Sequence, residues 1–144
     1  MRYSGGQANQ IVVATRRAQV EPVRLFMRQL SQLGYEPHIV RGINLEETRG
    51  APEPLAVFLD MAGRDLPSAC ALPSSARAVW EYIPIVLFTD EHEADRLRFG
   101  PHVHDFLTLP MSLNALDARL RFCLWRAQQQ APDRDLIDIS GMRV

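Results

Sequence analysis

Three short runs in this chain are apolar at every position: Ile11–Ala14 leading into Thr15, Leu55–Leu59 ending in Asp60 and Met61, and Ile85–Phe88 ending in Thr89 and Asp90. A strand with one wet face alternates apolar and polar residues, so unbroken runs suit strands covered on both faces, as in a parallel sheet between helices. Helical periodicity lies between them. From Ala18 to Leu33, Val20, Val23, Phe26 or Met27, Leu30 and Leu33 recur on one face, with arginines and glutamines elsewhere and Gly34 at the C-cap position. Strands alternating with helices point to an α/β fold, a doubly wound sandwich.

The remaining elements are shorter. His38–Val40 reads as a weak second strand, and Asn44–Arg49 as a very short helix. The stretch 62–78 reads as a loop, followed by a short helix near Ser75–Tyr82, and 90–98 is charged and only weakly amphipathic. Phe106–Thr108 forms a fifth strand, closed by a Leu109-Pro110 corner. A helix then starts at Ser112, whose hydroxyl can accept from a first-turn amide. Leu113, Leu116, Leu120, Cys123, Leu124 and Ala127 make its apolar face. QQQAPDRD after Ala127 reads as a linker. The expected organisation is a flexible N-terminus (1–10), a domain (11–127), a linker (128–135) and a terminal stub (136–144) that opens strand-like with Leu136–Ile139.

A chain of 144 residues is sized for one domain. Its net charge of -1 disfavours nucleic-acid binding by these residues alone. No apolar run approaches the roughly 18 residues that span a bilayer, and MRYSGGQANQ lacks the apolar core of a signal peptide. No membrane partner is expected. Cys70 and Cys123 have no CxxC spacing and suit a reduced cytoplasmic protein. His102 and His104 lack further ligands at metal-site spacing, His92 sits between Glu91 and Glu93 as a solvated helix end, and Gly5-Gly6 follows no strand. No nucleophile–base pair or paired catalytic acids stand out, so no enzyme, cofactor or metal is expected.

The strand, Pro corner and Leu-x-Ala-Arg-Leu helix of 106–120 resemble the end of a response-regulator receiver domain, in particular of the OmpR/PhoB class of transcription factors. The resemblance implies a flavodoxin/CheY-like five-stranded parallel sheet of order 2-1-3-4-5. Its ligand crevice lies at the carboxyl ends of strands 1 and 3. DLIDISGMRV resembles the opening strand of the winged-helix effector domain that follows such receivers.

A working receiver of this family holds Mg²⁺ with an acidic pair after strand 1 and accepts phosphate on an aspartate after strand 3. It binds the phosphoryl oxygens with a hydroxyl after strand 4 and a lysine after strand 5. By this resemblance Asp60 matches the phosphoacceptor, Thr89 the switch hydroxyl and Phe106 the aromatic that moves with it. The acidic pair is replaced by Thr15, Arg16 and Arg17, and the lysine by Leu109. Asp60 alone supplies one metal ligand where about three protein oxygens are wanted. An aspartate in such a pocket needs a partner to offset its desolvation. Arg16, Arg17 and Arg64 are candidates, with the Thr15 hydroxyl as a donor, and an internal ion pair in place of metal and phosphate is expected. The pattern of Thr after strand 1, a strand-ending Asp and Leu-Pro in place of Lys-Pro resembles the atypical receivers of the GlnR group of actinobacterial regulators, over about residues 11–140.

In the OmpR/PhoB class, helix 4, strand 5 and helix 5 form a twofold interface. Both ends of one family ion pair are present as Asp105 and Arg119. A second pair has no counterpart, since Asp95 and Ala115 stand there. Phe122 and Trp125 fall off the core stripe, where aromatics can anchor an interface. The expected function is a phosphorylation-independent, receiver-like homodimerisation domain of a DNA-binding transcription regulator. DNA is reached only through the effector domain, where a recognition helix reads the major groove. The alternatives are a conventional receiver phosphorylated on Asp60, and a small-molecule or anion sensor whose ligand is drawn to Arg16 and Arg17.

Overall fold

The computed structural model describes residues 9–41, 53–63, 83–97 and 103–130. The segments read from sequence as short helices at Asn44–Arg49 and Ser75–Tyr82 lie outside them, as do Arg64, Cys70, His102 and the terminal stub. The described elements are β1 (Gln10–Ala14), α1 (Glu21–Gln32), β2 (Glu36–Val40), β3 (Ala56–Asp60), β4 (Ile85–Asp90), β5 (Asp105–Leu109) and α2 (Leu113–Gln130). A 3-10 turn spans Glu91–Arg96. All five strands run parallel in the order β2-β1-β3-β4-β5. That strand order is the one expected of a flavodoxin/CheY-like sheet, and it places every strand's carboxyl end on one edge.

The unbroken apolar runs divide their side chains between two cores, as the period of 2 requires. Ile11, Val13, Ala56, Phe58, Val86, Phe88, Leu107 and Leu109 face one side, under α1 and α2. Val12, Ala14, Val57, Leu59, Ile85 and Leu87 face the other, with Met61, Ile83 and Leu97. Phe26 of α1 anchors the first core, its ring 5.4 Å from Phe58 and 5.0 Å from Phe88.

Several boundaries differ from the sequence reading. α1 begins at Glu21 rather than Ala18, because Pro22 belongs in a first turn, where its missing N–H costs nothing. Residues 15–20 are thereby freed to form the turn that carries Arg17. Val20 is consequently exposed. β2 includes Glu36 and Pro37, a proline tolerated on an edge strand. The charged stretch after β4 forms a 3-10 turn with no buried residue, too polar to pack as a longer helix. α2 runs through Gln130, into the segment read as a linker. Glutamine is a good helix former, and Pro132 is the first residue in the sequence that opposes continuation. On α2 the core stripe is Leu116, Leu120 and Cys123, while Leu113 is exposed. Gln29, placed by sequence among the polar positions of α1, is buried, and its Nε2 donates to the Met111 carbonyl at 2.7 Å, tying α1 to the turn before α2.

Candidate functional site at the carboxyl edge of the sheet

The parallel register sets Ala14 beside Leu59, Asp60 beside Phe88, and Asp90 beside Leu109, so the residues ending β1, β3 and β4 meet at one edge. Thr15 and Asp60 there are 1% and 3% exposed. The Thr15 hydroxyl donates to Asp60 Oδ2 at 2.6 Å and accepts from the Arg17 backbone N–H at 2.9 Å. That second bond closes a tight turn which aims the Arg17 side chain back over the sheet edge.

Arg17 spends its fork on two carboxylates. Nε donates to Asp60 Oδ2 at 2.9 Å and Nη2 to Asp60 Oδ1 at 3.1 Å. Nη1 donates to Asp90 Oδ2 at 3.0 Å, and Nη2 also to Asp90 Oδ1 at 3.1 Å. Planar guanidinium matches carboxylates in this paired fashion, which a lysine ammonium does not. Burial by itself would lower the Arg17 pKa, but the hydrogen bonds and charges of Asp60 and Asp90 outweigh it and hold the group above its ordinary value. The cation is therefore permanent.

The Ala62 N–H donates to Asp60 Oδ1 at 3.1 Å, the fourth bond to this carboxylate. An ionised carboxylate offers about four lone-pair sites. With Thr15, Arg17 twice and Ala62 on them, Asp60 has no free oxygen lone pair for a metal or for attack on phosphorus. Leu109, expected where a receiver carries its lysine, is 2% exposed and part of the core under α1 and α2. The residues present do not fit Mg²⁺: a guanidinium lies between the two acidic groups that could ligate it. Among the described residues no three His, Cys, Asp or Glu side chains cluster as a metal site.

The structure thus brings Thr15 and Arg17 onto Asp60 and leaves Arg16 elsewhere. Arg16 is exposed, and its Nε reaches the Arg41 carbonyl at 3.4 Å, because adjacent residues of the turn point opposite ways. An anion seat on Arg16 and Arg17 does not form, since Arg17 is committed to carboxylates. Thr89 is buried at the end of β4. Phe106 is 37% exposed, with the Arg119 guanidinium 5.8 Å from its ring centre. Sequence reasoning missed Asp90 as a partner of Arg17. The available signal was its place directly after Thr89, at the same sheet edge as Asp60. It also missed Glu93, whose Oε1 accepts from the Gly63 N–H at 3.1 Å and ties the loop after β3 to the 3-10 turn. Gly63 has φ +72°, which a side chain would strain.

His104 accepts the Ile85 N–H on Nδ1 at 3.0 Å and so serves the sheet. Asp105 and Arg119 bond each other within one chain at 3.0 Å. Beside the site an open crevice of about 410 Å³ is lined by Pro22, Asp90, Glu91, His92, Leu109 and Pro110.

No protein-family model matches the sequence, and no curated protein is similar to it. Solved structures share its fold. NtrX from Brucella abortus superposes with a TM-score of 0.66 at 20% identity over 92% of this chain, which spans only 29% of NtrX. A CheY-like response regulator from Mesorhizobium loti gives 0.52 at 22% identity, over 81% of this chain and 98% of that one. A response regulator from Thermotoga maritima gives 0.60 at 13% identity, again over 81% and 98%.

Proposed function

We propose that this chain is a receiver-like domain that works without phosphorylation, pairing two copies of a cytoplasmic DNA-binding transcription regulator. The observation that carries the reading is the Arg17 guanidinium between Asp60 and Asp90. It supplies the positive charge a metal would bring and saturates the carboxylate a phosphoryl group would need. The domain is a binding module, not an enzyme, and DNA contact belongs to an effector domain joined to it. Pairing is expected through the 3-10 turn, β5 and α2, where Asp105, Arg119, Phe122 and Trp125 lie. The resemblance to the OmpR/PhoB class and to the GlnR group supports this choice of face. An exposed ion pair contributes little, about 0–1 kcal/mol, so apolar contact must supply most of the affinity.

Light scattering with and without Mg²⁺ and beryllofluoride, a mimic of the acyl-phosphate, tests the reading. A dimer of unchanged mass under all conditions is the expected result. A monomer that pairs only with the mimic would restore the conventional switch on Asp60. Among the described residues, a small-molecule sensor is favoured by the crevice beside Asp90, whose carboxylate is already held by Arg17.

A further inference from the structure

α2 is apolar on two opposite sides. Its inner stripe of Leu116, Leu120 and Cys123 belongs to the core. On the outer side Ala115, Ala118, Phe122 and Trp125 are all exposed, the last two by 52% and 55%. Their spacing of three, four and three residues is the a/d spacing of a helix-pairing seam. The two rings lie together, 6.1 Å between centroids, and Arg126 covers the Phe122 ring at 5.7 Å. The seam is small at its N-terminal half and large at its C-terminal half.

That asymmetry selects a partner. We infer that the outer seam of α2 packs antiparallel against the same seam of a second copy of this chain. A twofold axis at the level of Leu120 sets Ala118 of one copy against Phe122 of the other, and Ala115 against Trp125, so each large ring meets a small residue. A twofold contact must be self-complementary in this way. A parallel pair would instead stack ring on ring and leave a gap between the alanines.

Charge agrees. Arg119 and Arg121 flank the seam on either side, and bare arginines would repel across the axis. Each already carries a carboxylate from its own chain: Asp105 holds Arg119 at 3.0 Å, and Asp117 holds Arg121 at 3.4 Å. The axis therefore brings neutral pairs together, and the Asp105–Arg119 pair lies at the rim of the seam. This inference rests on the pairing proposed above and specifies its centre: helix against helix on α2, with β5 at the rim through Asp105.

Disulfide trapping on the full chain in a Cys70→Ser background tests it, Cys123 being buried. Ala118→Cys and Phe122→Cys proteins are oxidised separately and as an equal mixture. The expected result is a covalent dimer formed in the mixture and not by either protein alone. Ala118→Trp, at an exposed site, should leave the circular dichroism unchanged and weaken the dimer about tenfold or more by light scattering. A wild-type dimer that gives no mixed disulfide and tolerates Ala118→Trp overturns the seam while leaving pairing intact. A covalent dimer from Ala118→Cys alone would show parallel helices and overturn it too. A wild-type monomer under every condition overturns both.

Discussion

Arg17 occupies a position where burial and charge pull in opposite directions, and Asp60 with Asp90 decides the outcome. Breaking a buried pair leaves the surviving charge uncompensated. Asp60→Ala should therefore lower stability by about 1–3 kcal/mol in urea melts, with Asp90 limiting the loss by keeping one partner on Arg17. An unchanged midpoint would mean that the bonds to Asp60 only balance the cost of burying it. Arg17→Asp removes the internal cation and places a third carboxylate near Asp60 and Asp90. Mg²⁺ should then raise the melting temperature of Arg17→Asp and leave the wild type unmoved, since a ligand stabilises only the form that binds it.

Cys123 offers a pH test. Burial, then the charge of Asp105, pushes its thiol up to about 11. A raised thiol pKa favours the neutral folded form. The unfolded thiol loses its proton at the ordinary value while the folded one keeps it, so the unfolded state holds fewer protons between the two values. Stability from this site is whole below the ordinary thiol pKa and falls as pH rises toward 11. Wild type should lose more stability than Cys123→Ala over that window in paired urea melts, and native Cys123 should alkylate slowly at pH values near 8.

At the scale of elements, α2 shows how one helix serves two surfaces. Its start follows from Ser112, whose Oγ accepts the Ala115 N–H at 3.1 Å. Leu120→Ala should cost about 2–5 kcal/mol, because it opens a cavity beneath the sheet's first face. Phe122→Ala and Trp125→Ala touch no core. Their effect on the isolated fold should stay within about 0.5 kcal/mol, while pairing measured by light scattering is lost. The inner stripe of α2 was legible in the sequence. Its outer seam was legible only as two stray aromatics, because the alanines that complete it read as neutral helix formers until their exposure is known.

Across the whole molecule, pairing and stability should be linked. If two copies associate only when folded, the melting midpoint rises with protein concentration, and Ala118→Trp should flatten that dependence. Differential scanning over a hundredfold concentration range reads this directly, and a constant midpoint in the wild type would separate pairing from folding. The residue pattern alone carried the α/β class and placed β1, β3 and β4 to within two residues of their observed bounds. Continuous apolar runs demand cover on both faces, and parallel strands put their carboxyl ends together. The strand order followed from the resemblance rather than from the runs themselves, which fit other orders equally well. Three-dimensional packing alone settled that Arg17 and not Arg16 meets Asp60, that Asp90 shares the guanidinium, and that Gln29 lies buried against the turn before α2. Those outcomes depend on side-chain direction in irregular turns. Hydrogen bonds such as Arg17 N–H to the Thr15 hydroxyl set that direction, and hydrophobic periodicity carries no information about it.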